Sequence, residues 1–187
     1  MKNLKSIALA LVALVTLSAT AQTKKIDASK SSINWVGKKV TGSHEGTINL
    51  QEGALIFKGK KLVGGNFTVN MTTINTTDLE GKGKANLDGH LKSDDFFGVE
   101  KYPTATLVFK SIGEKSEGIY NVTADLTIKG KTESIKFEIT VSGNTATTNL
   151  KVDRTKYDIK YGSGSFFSDL GDKTIYDDFE LSVKLVF

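Results

Sequence analysis

Apolar and polar residues alternate along much of the chain with a period of two, which is typical of β-strands that bury one face. The clearest stretch is 120–129, where even-numbered residues are apolar and odd-numbered residues are polar or charged. The same alternation occurs at 135–141, 146–152 and 179–187. We therefore predict four antiparallel strands in the C-terminal third of the chain, the last of which extends to its final residue.

Upstream, shorter apolar runs separated by glycine predict further strands at about 32–40, 46–50, 54–57, 66–74 and 104–112. Many short strands joined by tight turns form either a sandwich of two sheets or a closed barrel. Periodicity alone does not choose between these two all-β architectures.

Two segments break the alternation. Between 76 and 102 the chain is rich in Asp, Lys and Gly, and the spacing of Leu87, Leu91 and Phe96 favours a short helix followed by an irregular loop. The second segment, 157–172, has no regular pattern and predicts a long loop folded over one end of the sheet. Long loops inside a compact domain are often functional, so both segments are candidate parts of a binding site.

The N-terminus has the features of a secretory signal peptide. Lys2 and Lys5 precede an apolar stretch at 7–17, and Ala19-Thr20-Ala21 supplies the small residues of a cleavage site. The apolar stretch is shorter than the roughly 20 residues that a membrane-spanning helix needs. We therefore predict a signal peptide at 1–21, export of the protein, and a single domain at 22–187.

The composition narrows the possible chemistry. The chain contains no cysteine, which excludes disulfides and thiol catalysis, and its formal net charge of +4 is spread along the sequence, which does not favour a nucleic-acid partner. We find none of the common catalytic or phosphate-binding motifs. The two histidines, His44 and His90, would need carboxylates from distant segments to bind zinc. We therefore predict no catalytic residues, no metal and no cofactor.

A group of motifs resembles the YceI-like family. Its core is Asp88-Gly89-His90-Leu91-Lys92-Ser93-Asp94-Asp95-Phe96-Phe97, which is followed by Tyr102-Pro103 and Phe109-Lys110-Ser111. Two later segments, Leu126-Thr127-Ile128-Lys129-Gly130-Lys131-Thr132 and Asp153-Arg154 with Tyr157 and Ile159, resemble the family's hairpin and its late Arg-containing strand. The resemblance extends over essentially the whole predicted mature chain.

The resemblance implies an all-β fold, an extended lipocalin-like eight-stranded antiparallel barrel with a short helical insertion at about 76–102. It also implies a periplasmic, non-enzymatic protein that carries an isoprenoid or similar long-chain lipid, such as a polyprenyl phosphate, a quinone or a fatty-acid derivative. Secretion and a homodimer are compatible with it. Two alternatives stay open: a stress-related interaction module with a packed barrel and, with less support from the motifs, an enzyme that acts on such a lipid.

Strand parity and the family fold together give two sets of candidate binding residues. The first faces the barrel interior, where it would bury a hydrocarbon chain. This set comprises Phe67, Val69, Met71, Leu107, Phe109, Tyr120, Val122, Leu126, Ile135, Phe137, Ile139 and Leu150. The second set would hold a phosphate or quinone head group, or form a lid over the barrel mouth. It comprises His90, Lys92, Phe96, Phe97, Arg154, Tyr157, Phe166 and Phe167.

Overall fold

The computed structural model describes residues 20–187, and positions 1–19, where most of the predicted signal peptide falls, lie outside the described residues. The described chain contains nine β-strands, one α-helix and two short 3₁₀ helices. In chain order these are β1 Ala21–Lys25, β2 Ser32–Lys39, β3 Gly42–Lys58, β4 Lys61–Thr76, α1 Gly81–Lys92, β5 Thr104–Ser116, β6 Ile119–Ile128, β7 Lys131–Ser142, β8 Thr145–Asp153, the 3₁₀ helices Arg154–Tyr157 and Gly171–Lys173, and β9 Ile175–Val186.

Eight of the strands form a closed barrel. Each strand from β2 to β9 pairs antiparallel with the next, and β9 pairs with β2, so that the sheet closes on itself. β1 pairs with the second half of the long strand β3, where residues 21–25 are opposite 54–58, and β2 pairs with the first half. This closure decides between the sandwich and the barrel that periodicity left open, and it confirms the fold that the resemblance implies.

Most of the predicted elements are present. β6, β7, β8 and β9 cover the four alternating stretches, and α1 lies within the predicted insertion. The segments 46–50 and 54–57, predicted as two strands, are parts of one strand, β3. A bulge near Glu52 shifts the register against β4 and changes which positions face inward, so the alternation is interrupted between them. β1 is missing from the sequence-based prediction because its residues, AQTKK, do not alternate between apolar and polar.

The barrel has two different ends. The closed end contains the short turns between β3 and β4, β5 and β6, and β7 and β8, together with β1 and Phe187. Its interior is filled: Leu55 is 0% and Tyr120 is 4% exposed, and the rings of Phe57 and Phe187 have centroids 5.6 Å apart. The capped end carries the two long connections, 77–103 from β4 to β5 and 154–174 from β8 to β9, which together we call the cap. α1, like both 3₁₀ helices of residues 20–187, lacks the length and apolar character of a membrane-spanning helix.

The turn between β6 and β7 lies at the capped end and contacts the Tyr-Pro motif, Tyr102-Pro103. Lys129 and Gly130 both have positive φ angles, 50° and 73°, as a tight two-residue hairpin turn requires. A Cβ atom at Gly130 would lie 2.9 Å from the Tyr102 ring. The glycine therefore gives the turn its shape and lets the tyrosine of the Tyr-Pro motif pack against it.

Candidate functional site

A long apolar cavity occupies the barrel interior between the closed end and the cap. Its volume is about 180 Å³, and its walls come from strands β2 to β9 and from the segment that follows α1. Both Ile175 and Leu185 of β9 line it. At about 3.3 Å per residue, these ten steps correspond to about 33 Å of strand, so the cavity is long and narrow.

Three phenylalanine rings form a row along the cavity wall. The ring centroids of Phe67 and Phe109 are 5.6 Å apart, and those of Phe109 and Phe137 are 5.8 Å apart. Glycines make room for two of these rings, since a Cβ atom at Gly53 would lie 2.5 Å from Phe67 and one at Gly65 would lie 2.7 Å from Phe109. The small residues thus let large aromatic rings lie against the backbone and leave space in the centre of the barrel.

Most of the predicted interior residues border the cavity. Nine of them do so: Phe67, Val69, Met71, Leu107, Phe109, Leu126, Phe137, Ile139 and Leu150. Tyr120 and Val122 are instead buried in packed core, and Ile135 is partly buried against that core. The predicted set omits Ile33 and Trp35 of β2, which also line the cavity. The alternation of β2 is the signal that identifies them.

The family motif at 88–97 attaches the cap to the barrel. Asp88 of α1 accepts hydrogen bonds from the backbone N–H of Thr76 and from Lys84 Nζ, each at 2.8 Å. Partial burial opposes ionisation of Asp88, but the hydrogen bonds from Lys84 and Thr76 outweigh it and lower the pKa of the carboxyl. Phe96 and Phe97 follow α1 and line the end of the cavity. The cap is therefore held by a charged network on its outside and by aromatic packing within.

Arg154 is a buried cation at the capped end of the cavity. It is 2% exposed, and it donates hydrogen bonds to the carbonyls of Ile159, Ile175 and Tyr176 at 2.7 to 3.1 Å. Its guanidinium carbon lies 5.5 Å from the centroid of the Phe96 ring. These contacts join the connection that follows β8 to the first residues of β9.

Asp177 balances the charge of Arg154. Its Oδ1 lies 3.6 Å from Arg154 Nη2, and its Oδ2 accepts a hydrogen bond from Ser165 Oγ at 2.5 Å. Burial lowers the pKa of Arg154, although the nearby carboxylate opposes this. Burial also opposes ionisation of Asp177, but hydrogen bonds from serine side chains and the charge of Arg154 together lower its pKa. The capped end therefore contains a buried arginine, paired with a partly exposed carboxylate, next to an apolar cavity.

The structure separates the predicted mouth residues into two groups. Phe96, Phe97 and Arg154 line the cavity, whereas the other five do not. His90 packs against Tyr161, with ring centroids 4.4 Å apart, and Tyr157 is buried, which raises its pKa to about 12. Those outside the cavity wall are His90, Lys92, Tyr157, Phe166 and Phe167.

Comparison with known proteins agrees with this architecture. The family model of the YceI-like domain matches residues 25–187. The chain belongs to the YceI-like family. Among curated members, a UPF0312 protein of Shewanella denitrificans is 34% identical over 90 residues, which are 48% of this chain and 45% of that protein. Protein YceI of Escherichia coli is 33% identical over 78 residues, 42% of this chain and 37% of that protein. These matches span less than half the length of either relative.

Solved structures share the fold of this YceI-like chain. BcnA of Burkholderia cenocepacia has a TM-score of 0.64 at 24% identity, covering 87% of this chain and 99% of that one. A polyisoprenoid binding domain from Saccharophagus degradans has a TM-score of 0.58 at 17% identity, covering 86% and 95%. The YceI protein of Campylobacter jejuni has a TM-score of 0.54 at 17% identity, covering 98% and 96%. At these identities the likeness concerns the fold.

Proposed function

We propose that this YceI-like protein is an exported, non-enzymatic carrier that holds the chain of an isoprenoid or similar long-chain amphiphilic lipid inside its barrel. The observation that carries this proposal is the cavity, which is long, narrow and walled by apolar side chains. A packed barrel that serves only as an interaction module does not need such a space. The name of the Saccharophagus degradans domain, which describes it as polyisoprenoid binding, agrees with the proposal.

Burial of hydrocarbon would supply most of the affinity. Each Å² of apolar surface removed from water contributes roughly 25 cal/mol, so a long chain binds without many polar contacts. Polyprenyl phosphates, quinones and fatty-acid derivatives all carry such a chain. The apolar wall selects for the chain, and the choice among these lipids would be made where the head group lies.

Arg154 is the best candidate for the head-group contact. A guanidinium has five N–H groups. Arg154 uses three of them on backbone carbonyls, as far as residues 20–187 show. The others can donate to a phosphate, carboxylate or quinone oxygen at the capped end of the cavity. Among the predicted mouth residues, it is the charged one that borders the cavity.

The charged groups near the cavity support a carrier more than an enzyme. Lys38 and Asp178 border it, but Lys38 Nζ lies 2.7 Å from Glu180 Oε1 and Asp178 Oδ2 lies 2.9 Å from Lys151 Nζ. Both side chains are thus paired with charges on the barrel exterior. Arg154 stays protonated throughout the physiological range and cannot serve as a general base.

The first test is native mass spectrometry of the mature protein, purified from its own host without detergent, followed by organic extraction. We expect one isoprenoid or similar long-chain lipid per protein and an N-terminus at Gln22. A ligand-free mass, together with no uptake of added isoprenoids, would refute the carrier function. An N-terminus at Met1 would refute export by a cleaved signal.

A pair of variants tests whether the lipid occupies the cavity. Leu107 lines the cavity, whereas its neighbour Val108 points outward and is 45% exposed. We expect Leu107→Trp to fill part of the space and weaken binding of retinol, a fluorescent isoprenoid, by about tenfold or more. Val108→Trp is the matched control and should bind retinol like the original protein. Equal affinities for the two variants would place the lipid elsewhere.

A further inference from the structure

The two neighbours of β7 pair with it to very different extents. Toward β6, β7 forms ten pairs along almost its whole length. Toward β8 the described chain has three pairs, all next to the turn at the closed end, from Ser142 to Thr140. Beyond them, a continued register would place residues 134–139 of β7 opposite residues 148–153 of β8, but these residues are not paired. We call this gap the seam.

Side-chain contacts, rather than strand pairs, bridge the seam. Near its closed-end limit, Thr148 Oγ1 donates a hydrogen bond of 2.6 Å to the carbonyl of Glu138. Near its other limit, Lys131 Nζ lies 3.6 Å from Asp158 Oδ2, and both side chains are about half exposed. A single neutral hydrogen bond and an exposed ion pair contribute little net stability. Of the eight strand junctions of the described barrel, the one that contains the seam has the fewest strand pairs, three against five for the next, between β4 and β5.

The cavity lies directly behind the seam. Phe137 of β7 and Leu150 of β8 both line the cavity, and a continued register would place them opposite each other. Thr148 borders the cavity and also a polar groove on the outer face, which includes Glu138 and Asn149. The Thr148 side chain thus lies between the apolar interior and solvent.

Passage through either end of the barrel would disturb packed side chains. At the capped end, a route past Phe96 would displace a ring that packs under the guanidinium of Arg154. Arg154 is itself held by three carbonyl groups. At the closed end, the fully buried Leu55 and its neighbours fill the interior. Opening the seam leaves both of these packed regions intact.

We propose that the seam between β7 and β8 is the lateral passage through which the hydrocarbon chain enters and leaves the barrel, with the Thr148 hydroxyl as its latch. This inference rests on the proposed carrier function. The chain slides sideways between Phe137 and Leu150 as β7 leans away from β8. Arg154 and the carbonyl groups that it binds then stay in place during exchange.

The absence of cysteine allows a direct test with an engineered disulfide. Glu138→Cys combined with Asn149→Cys places thiols on the two sides of the seam, both on the outer face. The matched control combines the same Glu138→Cys with Asn121→Cys, because Asn121 is directly opposite Glu138 in the intact β6–β7 ladder. A short bismaleimide bridges the thiols if they do not oxidise. The readout is the rate of retinol uptake and release, for each protein bridged and unbridged.

We expect the bridge across the seam to slow uptake and release by about tenfold or more while the dissociation constant changes little, because a locked gate affects rates and leaves the cavity intact. The bridge between β6 and β7 should leave both rates unchanged. Unaltered rates in the protein bridged across the seam would overturn the lateral passage. Failure of the unbridged proteins to bind retinol or any other isoprenoid would overturn the carrier function itself, and the passage with it.

Loss of the latch should have the opposite effect. Thr148→Val keeps the shape of the side chain but removes the hydroxyl that donates to Glu138. We expect retinol release to become about threefold faster or more, as the loss of one hydrogen bond permits. Thr147→Val is the matched control, since Thr147 is exposed and is paired with Thr140 in the intact part of the ladder. Equal release rates for the two variants would show that Thr148 does not hold the seam.

Discussion

The closed end and the capped end of the barrel are held together by different kinds of contact. At the closed end, short turns bring strands together, and side chains such as Leu55 and Tyr120 pack without space between them. At the capped end, long connections are fixed by Arg154 and Asp88 through charge-assisted hydrogen bonds. Apolar packing fills volume, whereas a polar network fixes positions at the rim and can leave the centre open. The barrel can therefore be stable and still contain a cavity.

The largest expected effect on stability is at Leu55 in the packed core, and it is compared with the effect at Leu107 in the cavity wall. Leu55→Ala should lower the free energy of unfolding by about 2–5 kcal/mol, because Leu55 is fully buried and its loss leaves a void. Leu107→Ala should cost about 1 kcal/mol, since one side of Leu107 already borders a cavity and fewer contacts are lost. Urea denaturation of both variants measures the difference. Equal losses would contradict the distinction between a packed closed end and an open middle.

A smaller effect is expected for the buried cation of the capped end. Arg154→Met should lower the free energy of unfolding by about 2 kcal/mol, because buried carbonyls lose their donor and Asp177 loses its partner. Arg154→Lys should recover part of this loss, since it keeps the charge but cannot reach all three carbonyls. Thermal unfolding of the two variants compares them. An Arg154→Met protein as stable as the original would mean that the cap does not depend on this network.

The smallest effect concerns Asp88 and depends on pH. Its lowered pKa means that the carboxylate stabilises the folded state above the ordinary value of 3.8 and loses this contribution as the pH falls below it. Asp88→Asn should therefore cost about 1 kcal/mol at pH 7 and clearly less at pH 3. Urea denaturation at both values is the measurement. A pH-independent difference would assign the effect to packing and not to the charge of Asp88.

Much of the fold could be predicted from local sequence pattern. The alternation in β6 to β9 reports which face of each strand is buried, and it identifies most of the cavity wall. Closure of the barrel depends on pairing between β2 and β9, which are more than a hundred residues apart, and periodicity carries no information about it. The resemblance to the YceI-like family supplied that part.

The polar part of the candidate site was harder to predict. An arginine near a possible phosphate site suggests a head-group contact, but two of the three carbonyls that hold Arg154 come from β9, about twenty residues later in the chain. His90 and Tyr157 have suitable chemistry, yet they lie outside the cavity wall because the cap and the 3₁₀ helix turn them elsewhere. The seam has no sequence signal at all, since β7 and β8 alternate regularly on both sides of the point where their pairing ends.

The positions of the proposed mature N-terminus and of Phe187 have a practical consequence. Gln22 is opposite Phe57 at the closed end, and the backbone N–H of Phe187 donates to the carbonyl of Asn144 in the turn between β7 and β8. A fusion partner or a surface linker attached near either position would therefore emerge far from the cap. The protein could be immobilised on a sensor chip or displayed on a particle in a fixed orientation, with its capped end facing the solution.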